Sequence, residues 1–445
     1  MNILGIIAEF NPLHTGHAYL IRRLRLETGA AFCVVVMSGD YVQRGEPAFF
    51  SKYLRTRAAL LCGADLVLEL PLSVSTGSAE YFALGAVSLL DRLHCVTHLG
   101  FGSESGDIRT FQLAGALLSE EPAPYRHLLQ DFLKKGMNFP KARYEALSAF
   151  LSKDAARNTF SDDNTLAQEP VQHSDISLSP DEISGVLSLL DAPNNILGTE
   201  YMKALHRLHS SMIPVTLKRS GAGYHETINL SGSASAPAYA SASGLRNAFL
   251  SSPEKTDSLL KDYVPAACRA LYLNALRQKQ YVTFEDFFLP LYHTLQCADA
   301  EMLSRYQDVT PEFSGRLLRL FGQCSSVAEL CAVLKARHLT STGISRALLH
   351  ILLHLTEDTV SSEKKLGLAL FARMLGFRKE AKPLLSLLKK NASIPLVSKL
   401  ADAPSYLSPA ALFQLRQTIK ASELYRAALP GGQPGSEYQQ HIVLL

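Results

Sequence analysis

The chain has 445 residues, of which 47% are hydrophobic and 19% charged, with 44 Lys+Arg against 41 Asp+Glu for a formal charge of +3. At about 100–200 residues per domain, this length predicts two or three domains, each able to bury a core without disulfide or metal staples. The near-neutral total excludes a histone-like binder, but not a local basic face, because steering fields depend on where charges sit. The seven cysteines (Cys33, Cys62, Cys95, Cys268, Cys297, Cys324, Cys331) are scattered and form no C-x-x-C. That usage argues against a disulfide framework or a structural zinc, and for a cytoplasmic protein. The run Met1–Ala8 is apolar but lacks a basic lead-in and meets Glu9, so it reads as a buried strand and not a signal peptide. No uncharged apolar run approaches the ~20 residues that span a bilayer. Even Ala347–Leu355 is interrupted by His350 and His354.

Apolar runs alternate with amphipathic stretches over the first hundred residues. The pattern predicts strand Ile3–Ala8, helix His17–Glu27, strand Phe32–Met37, helix Ser51–Cys62, strand Asp65–Leu70, helix Ala79–Leu93 and strand Thr97–Phe101. Strict alternation implies an α/β fold with a parallel, Rossmann-like sheet, whose ligands bind beyond the carboxyl ends of the strands. Residues 152–185 are polar and aperiodic and read as a surface excursion. The pattern resumes at Pro193-Asn194-Asn195, with a helix through Leu208, a strand near Pro214–Lys218, a Ser/Ala/Gly-rich loop over 231–243, and a helix opening at Gly244 with Ser243 as candidate N-cap.

From about residue 255 helical periodicity takes over, giving a second, all-helical domain over 251–445 after a first over 1–250. The second part carries a net charge of +6 and the first −3. A mildly basic helical half suits a polyanion without being diagnostic of one.

The strongest chemical signal is Gly5-Ile6-Ile7-Ala8-Glu9-Phe10-Asn11-Pro12-Leu13-His14-Thr15-Gly16-His17. A strand ends, Asn-Pro turns the chain, and H-x-G-H falls where the first helix begins. Gly16 allows close backbone approach, and the helix N-terminus favours an anion there. His14 and His17 can then donate to phosphate oxygens and stabilise charge on departing pyrophosphate. Beyond the second strand, Ser38 and Gly39 can offer backbone N–H groups to a small anion. Arg44 is the preferred charge donor, unless it pairs with Glu46 or Glu69. Lys52 is either catalytic or solvated on its helix, and Arg55 and Arg57 read as solvated. His350 and His354, at i and i+4, read as core histidines and not zinc ligands. His206 and His209 read as surface groups.

The H-x-G-H segment resembles the nucleotidyltransferase superfamily. Five further blocks extend the likeness: Met37 to Ala48, Ser51-Lys52, Glu69-Leu70-Pro71, Phe101-Gly102-Ser103-Glu104 and Pro193 to Gly198. Together they resemble the bacterial tRNA(Met) cytidine acetate ligase family. The resemblance implies activation of acetate by ATP to acetyl-adenylate, then acetyl transfer to N4 of the wobble cytidine of elongator tRNA(Met). It implies catalytic roles for His14, His17, Arg44 and Lys52. It also implies an ATP site drawn from Ile7, Ala8, Glu9, Phe10, Asn11, Pro12, Leu13, His14, Thr15, Gly16 and His17, with Gly102, Asn194 or Asn195, and Arg219. Ser243 and Arg246 resemble the superfamily's second phosphate-binding signature, joining Ser38 and Gly39 as acetate or phosphate candidates. ATP chemistry commonly uses magnesium, yet no carboxylate cluster shows how it would be held. The hydroxyl-rich helix start with Lys335, Arg337 and Arg346 is the candidate tRNA contact; Arg373, Arg378, Lys379 and Lys382, with Lys389-Lys390 beyond them, either extend that patch or form a solvated helix face. No membrane or stable protein partner is expected. The rival readings are a different acceptor for the same chemistry, a plain adenylyltransferase, or a nucleotide-responsive RNA-binding protein without catalysis.

Overall fold

The computed structural model describes residues 1–158, 178–219, 241–336, 339–431 and 435–445. Its strands are β1 (Ile3–Ala8), β2 (Phe32–Met37), β3 (Tyr41–Val42), β4 (Glu46–Pro47), β5 (Leu66–Glu69), β6 (His98–Ser103), β7 (Ile213–Lys218), β8 (Ala372–Phe377), β9 (Leu396–Val397) and β10 (Val443–Leu444). Eight of them form one sheet in the order β10-β8-β5-β2-β1-β6-β7, with β9 beside β8, while β3 and β4 make a separate hairpin.

The strands at the centre are short β-branched runs, which suits burial on both faces. Side chains alternate across the sheet. Leu4, Ile6, Cys33, Val35 and Met37 pack in one layer with residues of helices Thr15–Thr28, Lys52–Leu61 and Ala266–Arg277. Ile3, Ile7, Val34, Val36, Leu66 and Leu68 pack in the other, against helices Ala79–Asp91, Ile108–Glu120 and Pro193–Arg207. β1 runs parallel to β2 from Ile3 opposite Phe32 to Ala8 opposite Met37, so the loops that follow leave the same edge. On its other side β1 pairs with β6, Ile6 opposite Gly100, which brings Gly102 level with Ala8. The chain lays β2 and β5 on one side of β1 and β6 and β7 on the other, so a topological switch point lies between β1 and β6.

The predicted elements of the first hundred residues occur with boundaries moved by one or two residues. Two expectations differ more. The stretch over 152–185 is helical at both ends, through Asn158 and again over Pro180–Ser188; residues 159–177 of it, and 231–240 of the Ser/Ala/Gly-rich loop, lie outside the described residues. After residue 251 the chain is not helical throughout. Helices such as Phe288–Gln296, Pro311–Leu320 and Ser341–Leu352 pack around Leu291, Leu317 and Leu348, with Tyr41 and Leu72 from the first part in the same core. The chain then returns to the sheet, where β8 pairs antiparallel with β5, Arg373 opposite Glu69. Among the described residues no helix is long and apolar enough to cross a membrane.

Candidate active site

The Asn11-Pro12 peptide bond is cis, and the turn it forms is anchored from three elements. The Asn11 side-chain oxygen accepts from Phe49 N at 2.7 Å, the Asn11 carbonyl accepts from Arg246 Nη1 at 2.7 Å, and Leu13 N donates to the Tyr272 hydroxyl at 3.1 Å. His14 is the N-cap of the helix that follows. Its Nδ1 accepts from Gly16 N at 3.1 Å, and His17 Nδ1 accepts from His14 N at 3.3 Å, a reciprocal capping box built from two imidazoles. The rings lie 3.8 Å apart at a tilt of 31°. Because each Nδ1 accepts a backbone N–H, each neutral ring carries its proton on Nε2 and presents that edge as a donor. Burial, reinforced by Arg219, lowers the His14 pKa to about 3. His17 is held well below its ordinary value by burial, then by His14 and Arg219.

Both histidines line a cavity of about 470 Å³ at the switch point. Helix N-termini converge on it: Gly16 from Thr15–Thr28, Asn194 from Pro193–Arg207, and Ala242 and Ser243 from Ala242–Ser251. Their first-turn amides and aligned dipoles make an anion-binding environment. Arg44, Arg219 and Arg246 also line it, and helix Ser341–Leu352 contributes Thr342. That helix can come so close because of Gly45, whose φ is +79° and where a Cβ would overlap the Arg346 backbone nitrogen.

The predicted residues Ile7, Ala8, Glu9, Phe10, Asn11, His14, Gly16, His17, Arg44, Gly102, Asn194, Arg219, Ser243 and Arg246 are brought together around this cavity. Others are not. Pro12, Leu13 and Thr15 do not line it, and Leu13 is a core residue. Asn195 is turned away to hold the loop after β6, its side-chain oxygen accepting from Glu104 N at 2.9 Å and Ser105 N at 3.1 Å. Asn194 faces the cavity and meets Arg219 Nη1 at 3.4 Å. Ser38 and Gly39 are withdrawn behind the site: Ser38 is buried, its carbonyl accepts from Arg55 Nη1 at 3.1 Å, and Gly39 abuts the Glu69 carboxylate. Arg55 is not solvated but fully buried, and it also takes the Glu9 carbonyl at 2.7 Å and the Gly39 carbonyl, tying the ends of β1 and β2 together. The helix cap near residue 243 is Ser241, which accepts from Gly244 N at 3.1 Å.

Lys52 is the clearest correction. It is fully buried outside the cavity, with Nζ 2.9 Å from Glu69, 2.6 Å from Glu437 and 3.6 Å from Asp40. Burial and Arg373 disfavour its charge, but the three carboxylates outweigh both and raise its pKa. It is held in this ion network and is not among the residues that line the cavity. Arg373 belongs to the same network, 2.8 Å from both Glu69 and Glu437, and is not part of a surface patch. Arg346 pairs with Asp308 at 2.8 Å, Lys335 is exposed, and Arg337 lies outside the described residues. His350 is buried and bonded to Gln307 and Thr76 backbone oxygens at 3.0 and 3.2 Å. Sequence reasoning missed Gln43, Glu46, Tyr201 and Thr342 as lining residues. Glu46 pairs with Arg246 at 3.4 Å, a contact across 200 positions that no local pattern announces.

A model of the HIGH Nucleotidyl Transferase family matches residues 1–440, in keeping with the histidine-capped helix at the switch point, and this defines the class of the protein. A protein of Acetivibrio thermocellus named tRNA(Met) cytidine acetate ligase is 34% identical over 100% of both chains. One of the same name from Clostridium perfringens is 32% identical over 98% of both. The Thermotoga maritima TmcAL structure bound with alpha-thio ATP is 27% identical and matches 100% of each chain with a TM-score of 0.85; its apo form gives 0.87. The chain belongs to the tRNA(Met) cytidine acetate ligase family.

Proposed function

We propose that the protein activates acetate with ATP to acetyl-adenylate, releasing pyrophosphate, and transfers the acetyl group to N4 of the wobble cytidine of elongator tRNA(Met). The observation that carries this reading is the reciprocal cap of His14 and His17, which leaves two Nε2–H donors at an anion-favouring cavity. An acetate oxygen attacks the α-phosphate of ATP, and the bond to the bridging oxygen breaks. Negative charge grows on pyrophosphate, where the two imidazoles, the helix amides, Arg219 and Arg246 can stabilise it. The amine of the cytidine then attacks the acetyl carbonyl and AMP leaves. The alpha-thio ATP held by the Thermotoga protein supports ATP as the nucleotide here.

Asn194, Gly102 and the strand-end backbone of residues 7–11 would hold the nucleoside and phosphates, with Arg44 and Ser243 nearer the reacting anion. Among the described residues no group of three or more His, Cys, Asp or Glu side chains could hold a metal ion. Lys335, exposed at the C-terminal end of helix Val327–Leu334, is the candidate for a tRNA backbone contact. A cytoplasmic setting follows from a tRNA substrate.

The test incubates the protein with ATP, labelled acetate and bulk tRNA, then digests the RNA. Labelled N4-acetylcytidine is the expected result. Pyrophosphate release without label in RNA would point to another acceptor, and neither signal would leave a nucleotide-responsive binding protein.

A further inference from the structure

We propose that Glu9 is the base that takes the proton from the attacking cytidine amine during acetyl transfer. The inference rests on the two-step reading above and assigns a residue to its second step. The two steps differ in their need for a proton acceptor. Acetate attacks ATP as an anion and pyrophosphate departs with the electron pair, so no proton must move. When the N4 amine attacks the acetyl carbonyl, a C–N bond forms, the acyl carbon–oxygen bond to phosphate breaks, AMP leaves with that electron pair, and one N–H proton must be accepted.

Few lining groups can accept it. His14 and His17 already hold a proton on Nε2, and their Nδ1 atoms are occupied by the Gly16 and His14 amides. Glu46 lines the cavity but is paired with Arg246. Glu9 also lines the cavity, one residue beyond β1 at the entry to the histidine turn. Its Oε1 accepts from Gln43 N at 2.8 Å, which orients the carboxyl, and its backbone carbonyl accepts from buried Arg55, which anchors the main chain beneath it. Oε2 is then the oxygen for the amine proton.

The surroundings suit that task. The charged and titratable groups acting on Glu9 come from the β3–β4 hairpin (Arg44), helix Ala242–Ser251 (Arg246), helix Lys52–Leu61 (Arg55) and helix Pro193–Arg207, whose Tyr201 phenol is itself raised by burial and by Glu9. Burial raises the Glu9 pKa, the Gln43 amide and the three arginines oppose it, and burial prevails. A carboxylate moved toward neutrality is a stronger base than an exposed one.

The experiment compares wild type and Glu9→Gln in two assays: acetate-dependent ATP–pyrophosphate exchange, and single-turnover acetyl transfer to tRNA from enzyme preloaded with acetyl-adenylate. The amide keeps an oxygen for the Gln43 N–H but cannot accept the proton. Transfer should fall about 10²–10⁴-fold relative to exchange, and its acidic limb in the pH profile should disappear. Equal losses in both assays, or unchanged transfer, would overturn the proposal. If the Gln variant does not fold, Glu9→Asp decides: weakened transfer with the acidic limb retained supports a base, and exchange lost in step with transfer overturns it. Absence of acetate-dependent exchange in the wild type would instead remove the acetyl-adenylate reading on which the role rests.

Discussion

His14 and His17 are neutral chiefly because they are buried, and the backbone amide at each Nδ1 fixes the tautomer. Protons are therefore bound more tightly in the unfolded chain, near the ordinary value of 6.5, than in the fold, where His14 is lowered to about 3. Stability from this site is complete above about 6.5 and declines as pH falls toward 3. Calorimetry with and without ATP should show the decline and its reduction by the nucleotide. His17→Ala removes one donor and the acceptor for the His14 amide. Pyrophosphate exchange should fall about 10²–10³-fold with tRNA binding retained; full exchange in the variant would sink the role. These two residues were legible because strand, turn, H-x-G-H and helix follow one another in sequence. The choice between Asn194 and Asn195 was not, because helical phase alone decides which one faces the cavity. Lys52 and Arg55 were unreadable for a different reason: burial of a long cation depends on carboxylates and carbonyls distant in sequence.

Short elements frame the cavity, and their termini do more than their lengths. Ser241 caps the helix whose first turn holds Ser243 and whose second opens with Arg246. Ser241→Ala should cost about 0.5–2 kcal/mol in urea unfolding and raise the KM for ATP, since the same turn faces the site. Gly45 is the point where the β3–β4 hairpin touches the backbone of helix Ser341–Leu352, at Ser345 and Arg346. Gly45→Ala must adopt positive φ and displace that backbone, a cost on the order of 1–3 kcal/mol. Acetyl transfer should suffer beyond the stability loss, because Arg44 and Thr342 flank the contact. The alternating strands and helices were readable from periodicity. β8 was not: Ala-Arg-Met-Leu-Gly-Phe is a short run with a charge inside it, and its strand character comes from pairing with β5, some 300 positions earlier, and with β9 and β10.

Across the whole molecule, the two halves are joined by charge as well as by the sheet. Glu437 is fully buried between Lys52 and Arg373. Burial would raise its pKa, but the two cations lower it to about 2 from an ordinary 4.5. Its stabilising contribution is therefore present above about 4.5 and lost as pH falls toward 2. Glu437→Gln should flatten the acid-unfolding curve across that window. Lys52→Met removes the cation shared by Asp40, Glu69 and Glu437, the last two keeping Arg373, and should cost about 3–5 kcal/mol, while exchange per folded molecule falls far less than in His17→Ala.

Tyr53, next to Lys52, meets Glu437 across 384 positions of chain. At roughly 5–20 residues per second of synthesis, about 20–80 s separate the two partners on the ribosome. Through that interval Lys52 and Arg55 have Asp40, Glu69 and the carbonyls of the β1 and β2 ends, but not the carboxylate that completes the cluster. The nucleotide cavity draws on residues up to Arg246 and on Thr342, all made before the charge network behind it can close. A nascent chain released before residue 437 would carry the histidine turn without the closed network.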